Sequence, residues 1–148
     1  MMRGARGVLP RSVFLDSSVL VAAAISRTGS ARDLLREHIR GRLDLRISQL
    51  VLDETARNLA RKAPEALDDF RTLVAVLDAQ VVSPTAAVIA EAASITADKD
   101  APIISAAVQA RARFLATYDR QHLLRFARQI EERFGVCVAT PADILDEI

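Results

Sequence analysis

The sequence is poor in the residues that staple, stack or span. It holds one cysteine, Cys137, so no bridge can form within the chain, and a reducing compartment is expected. Cys137 falls in an apolar run and reads as a small core residue rather than a nucleophile. With no tryptophan and one tyrosine, Tyr118, there is no aromatic platform of the kind base-reading domains use. Tyr118 reads equally well as a strand-end packing residue. The two histidines, His38 and His122, are not spaced as a ligand pair and carry little weight. No stretch approaches the roughly 18 uninterrupted apolar residues of a membrane span. The early apolar run at residues 19–25 follows an aspartate and lacks the flanks of a signal peptide, so a bacterial-type cytoplasm and no membrane partner are expected. Repeats and low-complexity stretches are missing too.

What is there suits one domain. The chain has 148 residues and 51% apolar content. At that size roughly 70% of the unfolded chain's surface can be buried, so neither metal nor disulfide is needed merely to hold the fold. Residues 1–11 read as a flexible lead-in and residues 12–148 as a single domain.

The net charge of +1 hides an uneven distribution. Residues 1–62 carry 12 Lys+Arg against 6 Asp+Glu, residues 63–110 carry 2 against 7, and residues 111–148 carry 6 against 6. Eighteen of the twenty basic residues are arginine, whose fork pairs with phosphate at two points. An Arg-rich first half fits a nucleic-acid partner, and it fits equally an Arg-biased genome with solvated helix faces.

Short apolar runs alternate with helical patterns along the chain. Strands are expected at about residues 12–16, 43–47, 81–82, 114–117 and 136–139. Ser30-Ala31-Arg32-Asp33 resembles a capping box opening a helix that Gly41 ends, and Ser48 can cap the next one. Pro64 restarts a helix that would carry Leu67, Phe70, Leu73, Val74 and Leu77 inward. A helix of small residues runs to about residue 95, and residues 98–100 form a polar turn. Pro102 and Pro141 open two more helices. This alternation predicts an α/β fold of three layers, α/β/α, around a central, mainly parallel sheet of about five short strands. The apolar face at residues 67–77 would serve a homodimer or simply pack inside the monomer.

In an open parallel sheet, sites form at the carboxyl ends of the strands. Asp16 closes the first strand, Asp119 lies two residues beyond Thr117 at the end of the fourth, and Asp100 can reach the same rim. Glu54 sits in the second turn of its helix beside Asp53. Each aspartate could merely cap a helix, and Glu54 could be a solvated helical residue. Taken together they place several carboxylates toward one edge, where like charges repel unless a cation lies between them. Carboxylates without a histidine or cysteine partner offer hard oxygen ligands, which select Mg²⁺ or Mn²⁺.

Four phrases carry a family resemblance: FLDSSVLVAAAIS (14–26), SQLVLDETARNLARK (48–62), DKDAPIISAAVQARARFLATYDRQHL (98–123) and TPADIL (140–145). In order, they resemble the successive blocks of a PIN domain, the superfamily that includes the VapC-like toxins of toxin–antitoxin pairs. The resemblance spans about residues 12 to 146. It matches Asp16 to the family's first acid, with Ser18 at the supporting Asn/Ser position, and Glu54 to the glutamate of the second block. Asp100 matches the acid of the third block and Thr117 with Asp119 the T-x-D. Asp98 is a spare acid; Asp100 is preferred because Ile103 and Ile104 then fall where the family places buried residues.

What the resemblance implies is a metal-dependent ribonuclease acting on RNA, a hydrolase. Mg²⁺ or Mn²⁺, one ion or two, would be held by Asp16, Asp100 and Asp119, with Glu54, or Asp119 across the site, helping to take the proton or to hold a second ion's water shell. In-line attack would leave a 5′-phosphate and a 3′-hydroxyl. Arg27, Arg32, Arg36, Arg120 and Arg125 are the candidates for phosphate contacts that read no sequence. The toxin reading implies an antitoxin protein as partner, and family relatives often form homodimers. The alternative is a non-catalytic PIN-like module that binds RNA or protein, although such a module has no need to keep a repulsive cluster. A phosphatase of the haloacid-dehalogenase type also starts on a strand ending in Asp, but it wants a second Asp where this chain has Ser18.

Overall fold

The structure is a computed structural model and describes residues 9–94 and 100–148. Its five strands are β1 (Leu9–Leu15), β2 (Asp44–Ser48), β3 (Gln80–Val82), β4 (Ala112–Ala116) and β5 (Cys137–Ala139). They form one sheet in the order β3-β2-β1-β4-β5, every pair parallel. The described helices are α1 (Ser17–Ile25), α2 (Ser30–Ile39), α3 (Gln49–Lys62), α4 (Leu67–Leu77), α5 (Ala86–Ala93), α6 (Ala101–Gln109), α7 (Ala127–Phe134) and α8 (Pro141–Glu147). α1 to α4 pack among themselves and α5 packs on α6, the grouping on two faces that right-handed crossovers require of this strand order, and α8 packs back on α2. The fold is the three-layer α/β/α arrangement expected from the alternation of short strands and helices.

Strands covered on both faces need no polar alternation. Val13, Phe14 and Leu15 are accordingly all fully buried, as are Leu45 in β2 and Leu115 in β4. Three helices open as their sequences dictate: Ser48, Thr85 and Thr140 each accept a hydrogen bond from the backbone N–H three residues on. His38, given little weight in the sequence, is a structural staple. Its Nε2 lies 2.7 Å from the Leu77 carbonyl, while its Nδ1 accepts from Leu45 N–H at 3.1 Å. That pairing fixes one tautomer and ties α2 to β2 and α4.

Some expectations are corrected. β1 begins at Leu9, so it takes in the end of the segment read as a flexible lead-in; residues 1–8 lie outside the described residues. The backbone N–H groups of a parallel neighbour explain the extension, since Leu9 already pairs with Ala112 of β4. The capping box at Ser30 does not form: Gly29 is the cap, with no side-chain bond, and Asp33 pairs with Arg36 at 2.8 Å instead. Pro64 starts a single 3-10 turn before α4, on which only Phe70 and Leu77 are fully buried, while Leu67, Leu73 and Val74 are half-buried. The polar turn at 98–100, Asp98 included, and the end of the small-residue helix fall largely outside the described residues. Among the described residues, no helix is long and apolar enough to cross a membrane.

Candidate active site

The strand order turns at β1, with β2 on one side and β4 on the other, and a crevice opens beyond the carboxyl ends at such a turn. Leu15 pairs with Ala116, and Asp16 N–H donates to the Ala116 carbonyl at 3.0 Å. Register alone therefore sets Asp16 beside Thr117 at the end of the two central strands. Both are buried.

A buried carboxylate must have its lone pairs satisfied. Asp16 Oδ2 accepts from Thr117 Oγ1 at 2.7 Å and from Ser18 Oγ at 2.8 Å. The Thr117 and Ser18 hydroxyls lie 3.4 Å apart, and each also accepts a backbone N–H, from Asp119 and Tyr118 respectively, both at 3.0 Å. The five residues thus form one connected lattice. Asp16 occupies the cap position of α1 without making a side-chain cap, and Asp100 does the same on α6. Capping does not account for either acid.

The T-x-D segment then bends sharply. Asp119 Oδ1 accepts from the N–H groups of Gln121 at 3.1 Å and His122 at 2.9 Å. Its other oxygen lies 3.3 Å from His122 Nδ1. The local turn fixes this carboxylate from both ends, and His122 becomes its close neighbour. Sequence reasoning discounted His122, because a turn rather than a helix brings it to Asp119 and no helical spacing announces the pair.

Asp16, Ser18, Glu54, Asp100 and Asp119 all line a single open cavity of about 440 Å³. They arrive from the end of β1, the first turn of α1, α3, the start of α6 and the segment after β4. Asp53, beside Glu54, faces out and bonds Gln49 at 3.0 Å. Ile103 and Ile104 are buried, as the register that chose Asp100 requires. Tyr118 lines the rim and stays 40% exposed. Burial raises its phenol pKa above the ordinary value, opposed by a backbone hydrogen bond at Ala31. Asn58 and Lys62, which sequence reasoning missed, line the same wall as Glu54.

The five arginines singled out for phosphate do not line this cavity. Arg27, Arg32 and Arg36 border a separate groove between α2 and α4. Arg32 donates to the Ala23 carbonyl, and Arg36 is held by Asp33 and by the Arg27 carbonyl. Arg120 and Arg125 are exposed beyond the rim, and Arg125 lies over the Phe126 ring. Cys137 is half-buried in β5, and burial pushes its thiol above the ordinary value, as befits an inert core residue.

The donor set suits a hard divalent cation: carboxylate oxygens backed by hydroxyls, with neither His nor Cys on the lining among the described residues. Among the described residues, no three His, Cys, Asp or Glu side chains are already gathered tightly enough to hold a metal ion. Mg²⁺ asks for less, since it commonly binds through one or two carboxylates and keeps its waters.

A family model described as PIN domain matches residues 12–121. No curated protein matches the sequence. Among solved structures, the chain is similar to VapBC2 from Rickettsia felis, crystallised bound to a DNA fragment from its promoter. The identity is 16% and the TM-score 0.64, over 87% of this chain and 98% of that one. It is also similar to PAE2754 from Pyrobaculum aerophilum, with 20% identity and a TM-score of 0.60 over 97% of this chain and 96% of that one. At these identities the likeness is one of fold.

Proposed function

The chain belongs to the PIN domain family, and from that premise we propose that it is a metal-dependent endoribonuclease. One observation carries the reading: Asp16, Glu54, Asp100 and Asp119, spread over more than a hundred positions of sequence, line one cavity. Folding that many carboxylates toward one space costs repulsion, which a divalent cation and a bound phosphate would offset.

Asp16, Asp100 and Asp119 would hold Mg²⁺ or Mn²⁺, with Glu54 beside them. When bound, such an ion lowers the pKa of water and screens the charge of a phosphodiester. Thr117 and Ser18 hold and aim the Asp16 carboxylate, since two hydroxyls donate to one of its oxygens. The turn at Gln121 and His122 holds Asp119 in a fixed orientation. Glu54, which α3 brings to the same cavity, would take a proton from the attacking water. Hydrolysis in this sense leaves a 5′-phosphate and a 3′-hydroxyl.

The test is cleavage of structured and single-stranded RNA with Mn²⁺, Mg²⁺ or a chelator, using the wild type, Asp16→Asn and Asp100→Asn. Cutting that needs metal and disappears in both variants is expected. Cutting that survives chelation, or both substitutions, overturns the metal assignment. Binding without cutting under every metal supports the non-catalytic module instead.

The biological setting is a proposal of the same kind. The likeness in fold to the VapBC2 assembly is consistent with a toxin restrained by an antitoxin protein in a reducing cytoplasm, with homodimers as in many relatives. An antitoxin reading frame beside the gene, and co-purification of its product, are the expected findings.

A further inference from the structure

Resting on the nuclease reading above, we infer that Lys62 anchors the substrate, taking a phosphate of the RNA strand beside the one that is cut. Lys62 is one of two lysines in the sequence. Among the described residues it is the one cation on the lining of the acid cavity, because no arginine shares that wall. It is exposed, and among the described residues it makes no ion pair, whereas Arg27, Arg36, Arg40, Arg42 and Arg46 each lie within 4.0 Å of a carboxylate.

Helix geometry places it. Glu54, Asn58 and Lys62 follow each other at intervals of four and all line the cavity, so one stripe of α3 faces it. The stripe is about 12 Å long at the ordinary rise per residue, which sets the lysine apart from the acids rather than among them. Side chains of a helix lean toward its N-terminus, so the lysine stem leans back along the stripe toward Glu54. A cavity walled by carboxylates repels a polyanion, and a single flexible ammonium at its edge offsets that repulsion next to the scissile phosphate. A point charge on a flexible stem suits one phosphate and reads no base.

Lys62 also lies in the last turn of α3, where a cation complements the helix dipole. That role would be read in the melting temperature, and Arg61 in the same turn serves it as well. Anchoring is read elsewhere, in KM and in salt dependence.

The experiment compares wild type, Lys62→Gln and Lys62→Arg in RNA cleavage with Mn²⁺. It also compares Asp16→Asn with Asp16→Asn/Lys62→Gln in binding a labelled RNA oligonucleotide across a salt series. Lys62→Gln is expected to raise KM about five- to tenfold with kcat within about twofold, the mark of lost uniform binding. The slope of log affinity against log salt should fall by about 0.7, the share of one single-strand phosphate contact. Lys62→Arg should recover most of the loss, and the melting temperature should move by no more than about 1 °C. An unchanged KM and slope, or a fall in kcat alone, overturns the anchoring role; so does a loss that merely follows the melting temperature. A wild type that binds but never cuts, with binding weakened by Lys62→Gln, overturns the nuclease reading and leaves the anchor standing. Cutting that Lys62→Gln does not alter does the reverse. A wild type that neither binds nor cuts overturns both.

Discussion

The two ends of the sheet carry cavities of nearly equal size, about 450 Å³ at the amino ends of the strands and about 440 Å³ at the carboxyl ends. Their chemistry differs in how charge is settled. At the amino end Arg11, Arg42 and Arg113 share the lining with Glu37 and Glu147. Arg42 pairs with Glu37 at 3.3 Å and Arg113 with Glu147 at 3.6 Å, so charge is settled across the gap. At the carboxyl end the acids outnumber the single described cation, and the closest partners of Asp16 are hydroxyls. Volume does not separate a site from a hollow. The convergence of four carboxylates from distant parts of the sequence, with Asp16 held by buried hydrogen bonds, does.

The contrast can be broken most visibly in activity. Asp16→Asn keeps an acceptor for Thr117 and Ser18 and removes only the charge. It should lower cleavage by about 10²–10³-fold, the scale of losing one preorganised electrostatic group. The same measurement on Glu147→Gln should show no more than about a twofold change, since that carboxylate serves a surface pair.

A smaller effect falls on the lattice behind the acids. Thr117→Val keeps the shape but removes the hydroxyl that donates to Asp16 and accepts from Asp119 N–H. Cleavage should drop about 10–100-fold, as for the outer partners of metal ligands, and denaturant unfolding should lose about 1–3 kcal/mol for buried polar atoms left unpaired. Retained activity would mean that Ser18 alone suffices to hold Asp16. The smallest effect belongs to the amino end, where Glu147→Gln should cost about 0–1 kcal/mol in the same unfolding experiment, because both partners are about half-exposed.

Much of this contrast is legible in the letters. Asp16 after an apolar run, and Thr117-Tyr118-Asp119 after another, announce acids at strand ends, because parallel strands buried on both faces must end where polarity begins. The sequence does not show which charges fold away into private pairs. Arg32 and Arg36 belong to an Arg-rich helix and look available, yet Arg32 is engaged by the Ala23 carbonyl of α1, and Arg36 by Asp33 of its own first turn and the Arg27 carbonyl of the preceding loop. The pairing of His122 with Asp119 depends on a turn rather than a helix, so helical spacing was a poor guide to it. Lys62 was readable in principle, since 54, 58 and 62 fall on one face, but only the cavity shows what that face confronts.

If the acids at the carboxyl end gather around a divalent cation, thermal unfolding with Mn²⁺ reads it without recourse to activity. At a hundred times the dissociation constant, Mn²⁺ should add about 2.7 kcal/mol of stability, a rise of about 5–10 °C for a chain of this size. Asp16→Asn should melt at or above the metal-free wild type, relieved of repulsion, and should gain little from the ion. A wild type whose melting temperature ignores Mn²⁺, together with an Asp16→Asn variant less stable than its parent, would contradict the claim.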